Sequence, residues 1–143
     1  MLTKAFHNFD NVADVPVTWS LDEGADFARV LYIEPYTFDE WRDTIEELRR
    51  NPLFAFRRRI GGLIDRTHAG PPPADFDNSV AAYIGRHPLL LKGRRLAFVA
   101  VDTDSLADAW QHARMYEEAG AISTVFGAET DAAAWLREAA DEE

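Results

Sequence analysis

Apolar and polar positions alternate with two different periods along this chain, and the switches between them mark the elements. Residues 17–21 (VTWSL) and 27–33 (FARVLYI) are rich in β-branched and aromatic side chains. Between them, residues 22–26 are turn chemistry, with Gly24 free to take a positive φ. The pair predicts an antiparallel hairpin. After Thr37 the period becomes helical: Phe38, Trp41, Ile45 and Leu48 form one apolar stripe, and Asp39, Glu40, Asp43, Glu46 and Glu47 lie off it. Thr37 with Glu40 makes a capping box, Arg49 and Arg50 suit the negative end of the helix dipole, and Asn51-Pro52 stops the helix.

Further along, residues 59–65 (RIGGLID) predict a buried strand, weakened by Gly61 and Gly62. Residues 70–73 (GPPP) form a loop, because proline supplies no ladder donor. A second helix starts at Asp77 or Ser79 and runs through Arg86, and residues 95–101 (RLAFVAV) give the strongest strand. Asp104 or Ser105 caps a third helix, with Leu106, Ala109, Trp110, Ala113 and Tyr116 on one face and Gly120 ending it. A short strand follows over residues 122–126, and Thr130 opens a fourth helix carrying Ala132, Trp135, Leu136 and Ala139 on one side. The order ββαβαβαβα predicts an α/β fold: a mixed five-stranded sheet opened by a β-hairpin, then three βαβ crossovers, with four main helices. Residues 1–14 read as an irregular arm, 15–138 as the domain and 139–143 as an acidic tail.

Composition narrows the function classes. With 143 residues, 47% apolar and 28% charged, the chain is long enough for one cored domain and too apolar for general disorder. No apolar run reaches the roughly 18–20 residues of a membrane helix, so no membrane insertion is expected. The first sixteen residues lack the apolar core of a secretory signal. The absence of cysteine excludes disulfides, a thiol nucleophile and thiolate metal sites, and the expected compartment is the cytoplasm. A net charge of −10 argues against general nucleic-acid binding.

Catalytic patterns are sparse. His7, His68, His87 and His112 show no metal-ligand spacing and read as surface or capping residues. There is no G-x-S-x-G. Ser79 and His87 lie about 12 Å apart along one helix, too far for a serine–base pair. Gly61-Gly62 precede no helix directly and do not cradle phosphate. Asp65 and Asp102 end neighbouring strands at the edge where α/β folds bind ligands, which makes them a weak alternative for a Mg²⁺-type enzyme site. Asp77 and Asp104 are accounted for as helix-starting acids, and no cofactor is implied.

Charge is distributed unevenly. Residues 49–95 hold ten of the fifteen Lys/Arg and three of the twenty-five Asp/Glu, a net of +7 within an acidic chain. Arg57, Arg58, Arg59, Arg94 and Arg95 fall at strand starts, away from the aspartate edge. They form a candidate basic pole for docking an acidic protein partner or a second copy of the chain. Trp41, Trp110 and Trp135 read as core, whereas Phe54, Phe56, Leu89, Leu90 and Leu91 fall outside strong periods and read as exposed apolar surface. Leu89, Leu90, Leu91, Trp110 and Tyr116 are the candidates for an apolar pocket or interface holding a lipid-like molecule.

Three segments carry a resemblance. Residues 94–100 (RRLAFVA), residues 113–117 (ARMYE), and Val125-Phe126 followed by Ala132 and Trp135-Leu136 resemble the penultimate strand, a helical signature and the closing segment of the SpoIIAA-like, STAS-like family. That family is close to sulfate-transporter and anti-sigma-factor-antagonist domains, and some members are likened to CRAL-TRIO lipid-binding domains. The element order over about residues 15–138 agrees with it. The resemblance implies a small α/β domain that works by binding, often in signalling. In anti-sigma-factor antagonists a phosphorylatable serine opens a helix in an Asp-Ser-Ser-Gly pattern. Here Ser79 matches a serine of that pattern, while Asn78 and Val80 depart from it. The expectation is a non-enzymatic protein-binding or regulatory module, possibly homodimeric by design of its two poles; the alternative is a carrier for a lipid or acyl chain, and the third reading is an enzyme.

Overall fold

The computed structural model describes residues 16–22, 24 and 26–141, without the side chains of the last two. The arm expected at 1–14 and the final two residues of the expected acidic tail lie outside these. Two strands open the chain, β1 (Val17–Leu21) and β2 (Phe27–Ile33), and pair antiparallel with Val17 opposite Tyr32 and Leu21 opposite Ala28. The Asp22 carboxylate accepts from the Asp26 N–H at 2.7 Å and closes the turn.

Helix α1 (Phe38–Arg50) starts on the full Thr37–Glu40 capping box. Its stripe of Trp41, Thr44, Ile45 and Leu48 is buried, and the Thr44 hydroxyl donates to the Val17 carbonyl at 2.9 Å, fixing α1 on β1. Asn51 then ends α1 and caps a short helix α2 (Pro52–Phe56), with proline at a position where its missing N–H costs nothing. This helix is an addition to the four expected from the pattern.

The rest follows as β3 (Gly61–His68), α3 (Phe76–Arg86), β4 (Arg95–Val99), α4 (Thr103–Glu118), β5 (Ile122–Phe126) and α5 (Glu129–Asp141). The sheet order is β1-β2-β3-β4-β5, parallel from β2 onward. Three same-handed crossovers that step along the sheet in one direction put α1, α3 and α4 on one face. That face holds the larger core, where Val30, Ile64 and Phe98 meet Trp41, Val80, Tyr83 and Ala113. Strand alternation sends Phe27, Leu63, Ala97 and Val99 to the other face, where Ala132, Ala133 and Leu136 of α5 cover them. Among the described residues no helix is long and apolar enough to cross a membrane.

Several boundaries differ from the sequence reading. Strand β3 begins two residues late and continues to His68, past a register shift opposite β2. Gly61 does not merely weaken it. A Cβ there would stand 2.3 Å from the Arg95 carbonyl oxygen and 2.9 Å from Leu136 Cδ2, so glycine permits the close approach of β4 and α5. Helix α3 is capped by Asp75, in the left-handed region at φ 62° with no side-chain cap bond, rather than by Asp77 or Ser79. Helix α4 is capped by Asp102, which accepts from the Ser105 N–H at 2.8 Å, rather than by Asp104 or Ser105. Helix α5 extends into the expected acidic tail as far as Asp141. Gly120 takes φ 105° after α4, as a terminating glycine should.

Candidate functional site

The N-terminal ends of the parallel strands gather at one edge with the C-terminal end of α1, all of α2, the C-terminal end of α3 and the 87–94 connection. Proline at the start of α2 and the following basic run turn that short helix outward. Phe56 is left 84% exposed, and Leu89, in the connection, 70% exposed. Leu53 is exposed beside them. Around these apolar side chains stand Arg50, Arg57, Arg59, Arg86 and Lys92, all exposed. Between them runs a groove of about 400 Å³, lined among others by Phe54, Arg58, Arg86, His87 and Leu89. The Arg58 guanidinium donates to the Lys92 carbonyl at 2.8 Å and ties the two walls together.

The basic pole is therefore real in part and smaller than expected. Arg57, Arg58 and Arg59 belong to it. Arg94 does not: it is 1% exposed and donates to the carbonyls of Phe54 (2.7 Å), Ile60 (2.8 Å), Leu90 (2.8 Å) and Arg57 (3.3 Å). Its guanidinium lies 3.8 Å from the Phe54 ring centroid. Burial draws its pKa down to about 9, which leaves it charged at neutral pH. Arg94 is the internal clamp that holds α2 and the connection under the pole. Arg95 lies on the opposite face of the sheet, bonded to the Trp135 carbonyl and paired with Glu138 on α5.

The apolar candidates do not come together. Leu90 and Leu91 are buried beneath the pole with Phe54, whereas Leu89 alone of the three is exposed. Tyr116 is buried against Phe98, and Trp110 is 49% exposed on the outer side of α4. Trp110 was placed with the core because it follows Ala109 directly. A helix turns 100° per residue, and the buried seam is Ala109, His112, Ala113 and Tyr116. The expected pocket for a lipid-like ligand is not assembled from these residues.

Ser79 sits in the first turn of α3, half-buried, with its N–H bonded to the Asp75 carbonyl. Asp65 accepts from the Thr67 N–H at 2.9 Å, and Asp102 is occupied as the α4 cap. Among the described residues no three potential metal-ligating side chains cluster.

At the strand C-terminal edge the sequence reading missed a polar cluster under the helices. Asp77, read as a dipole-matching acid, accepts from the Nε2 of His112 at 2.5 Å, and His112 is buried rather than at the surface. The His112 hydrogen bond, followed by the charges of His112 and Arg66, holds the Asp77 carboxyl below its ordinary range. Arg66, on β3, is buried among Tyr32, Tyr36 and the cluster's acid. Its guanidinium lies 5.2 Å from the Tyr32 ring centroid, and its Nη2 reaches the Tyr36 hydroxyl only at 3.5 Å. Burial pushes the hydroxyls of Tyr32, Tyr36 and Tyr116 above the usual tyrosine range. The available signal was the apolar spacing of α4, which puts His112 one turn before Tyr116 on the buried seam. On the flank of α1, Tyr83 donates to Glu46, which also pairs with Arg49 and Arg50. Burial and then that carboxylate raise Tyr83 to about 12.

Compared with models of known protein families, with characterised proteins and with solved structures, the chain finds no match. The reading of its function therefore rests on these two edges.

Proposed function

We propose that the protein is a non-enzymatic binding module of the STAS-like kind, which docks an acidic protein segment carrying apolar anchors onto the pole around Phe56 and Leu89. The observation that carries this reading is the combination at one edge: two large apolar side chains almost wholly in solvent, ringed by basic residues, on a chain whose net charge is −10. Exposed apolar side chains rimmed by one sign of charge are what a docking surface needs, because the apolar anchors supply affinity and the rim supplies steering. The groove favours a protein segment over a bilayer. A side chain fills a concavity, whereas a headgroup plane meets a protrusion.

The test is fluorescence anisotropy of the intact chain with a labelled peptide of alternating Glu and Leu, across a salt series. Affinity should fall with salt, since the Debye length contracts from about 10 Å at 0.1 M to about 3 Å at 1 M. It should be lost in Phe56→Ser/Leu89→Ser and in Arg57→Glu/Arg86→Glu. Binding that survives both pairs of substitutions, or a peptide that does not bind the wild type at low salt, contradicts the proposal. Sedimentation with phosphatidylglycerol vesicles in place of peptide binding would move the reading to a membrane surface.

A further inference from the structure

Two arginines of this fold are buried to the same depth, 1% exposed each, and the chain treats them differently. Arg94 is saturated by four backbone carbonyls. Arg66 has no protein partner for its Nε or its Nη1, and its one bond, to Tyr36, is long. A guanidinium taken out of water with donors unpaired costs several kcal/mol. The nearby carboxylate of Asp77 is committed to His112. The fold thus holds a desolvated positive charge with open donors, walled by tyrosine rings and hydroxyls, which is the arrangement of a receptor for a small anion.

Charge decides which anion. Arg66 sits near Asp77, whose lowered pKa keeps it ionised, so a monoanionic carboxylate balances the cluster and a dianionic phosphate overcharges it. The neighbouring surface decides what the carboxylate is attached to. Thr67 and His68, which follow Arg66 on β3, line a cleft of about 840 Å³ that also exposes Glu34, Asp102, Asp104 and Asp108. Asp108 lies near enough to act electrostatically on Tyr36. A bare carboxylate is repelled by that acidic mouth, whereas a ligand that also bears an ammonium is drawn in.

We propose that Arg66 and this cleft form a binding site for a small amino-carboxylate, with the carboxylate on the Arg66 guanidinium and the ammonium toward Asp108. Both Arg66 and Tyr36 are buried, so the ligand gains access by displacing the Tyr36 hydroxyl, whose hold on Arg66 is weak. This site lies at the edge opposite the docking pole and stands independently of it.

The test is titration calorimetry of the full chain with glycine, β-alanine and γ-aminobutyrate, and with acetate and methylammonium as single-charge controls. At least one amino-carboxylate should bind about tenfold or more tightly than acetate, the ratio one charged hydrogen bond supplies. Arg66→Gln should abolish binding of all the carboxylates. Asp108→Asn should remove the preference over acetate while leaving acetate itself unchanged. If Arg66→Gln fails to fold, Asp108→Asn carries the test, since Asp108 is half-exposed on the cleft wall. The proposal is overturned if no amino-carboxylate binds, if acetate binds equally well, or if folded Arg66→Gln or Asp108→Asn behaves as wild type.

Discussion

Arg94 gives up solvent for four carbonyl oxygens and the face of Phe54, and those carbonyls have no other donor of that reach. Arg94→Met keeps much of the volume and removes the donors. It should cost on the order of 3 kcal/mol, because hydrogen bonds to charged groups are strong and the orphaned carbonyls stay buried. A denaturant midpoint close to wild type would show that the clamp is dispensable. Trp110 is the opposite case: Trp110→Ala should change stability by at most about 1 kcal/mol, far below the loss at a buried aromatic. The Asp77–His112 pair sets an acid limb. The folded Asp77 pKa lies below its ordinary value of 3.8, so its contribution is fully present above that value and is lost as pH falls through the folded pKa. Asp77→Asn should therefore flatten the fall in stability at acid pH while leaving the alkaline side unchanged, as urea melts across pH would show. An unchanged acid limb would mean that the pair contributes nothing to folding.

At the scale of elements, β3 is the member on which the fold turns. It lies in the middle of the sheet and touches α5 through a glycine with no room for a methyl group. Gly61→Ala should cost about 1–3 kcal/mol or more through overpacking between β3 and β4. Thermal unfolding measures it, and a neutral result would show that Leu136 and β4 can withdraw. The strands, the capping box of α1 and the mixed sheet were legible because each rests on local chemistry: β-branched runs, Thr37 with Glu40, and apolar stripes at helical spacing. The short α2 was not, since its five residues carry no period and only the Asn51 cap and Pro52 mark it. Basic residues at strand starts were legible as a group, but sequence could not divide the solvated Arg57 from the buried Arg94. That division depends on where four distant carbonyls converge. The Arg66 cluster was illegible for the same reason, since Tyr32, Tyr36, Asp77 and His112 come from four separate segments.

Across the whole molecule the two edges of the sheet have opposite character. The edge at the strand C-terminal ends carries a cleft with several carboxylates, and the edge at the N-terminal ends carries exposed Phe56 and Leu89 among arginines. Removing those anchors should leave the fold intact: Phe56→Ser and Leu89→Ser should each alter stability by no more than about 0.5 kcal/mol. Their exposure then serves association rather than folding, and a large loss of stability on either change would say otherwise. The most direct measurement is a backbone amide shift map of the ¹⁵N-labelled chain titrated with the Glu/Leu peptide at low salt. The docking account predicts shifts concentrated at residues 53–59 and 86–92. Shifts confined to the cleft around Glu34, Asp102 and Asp108, or none at all, would contradict it.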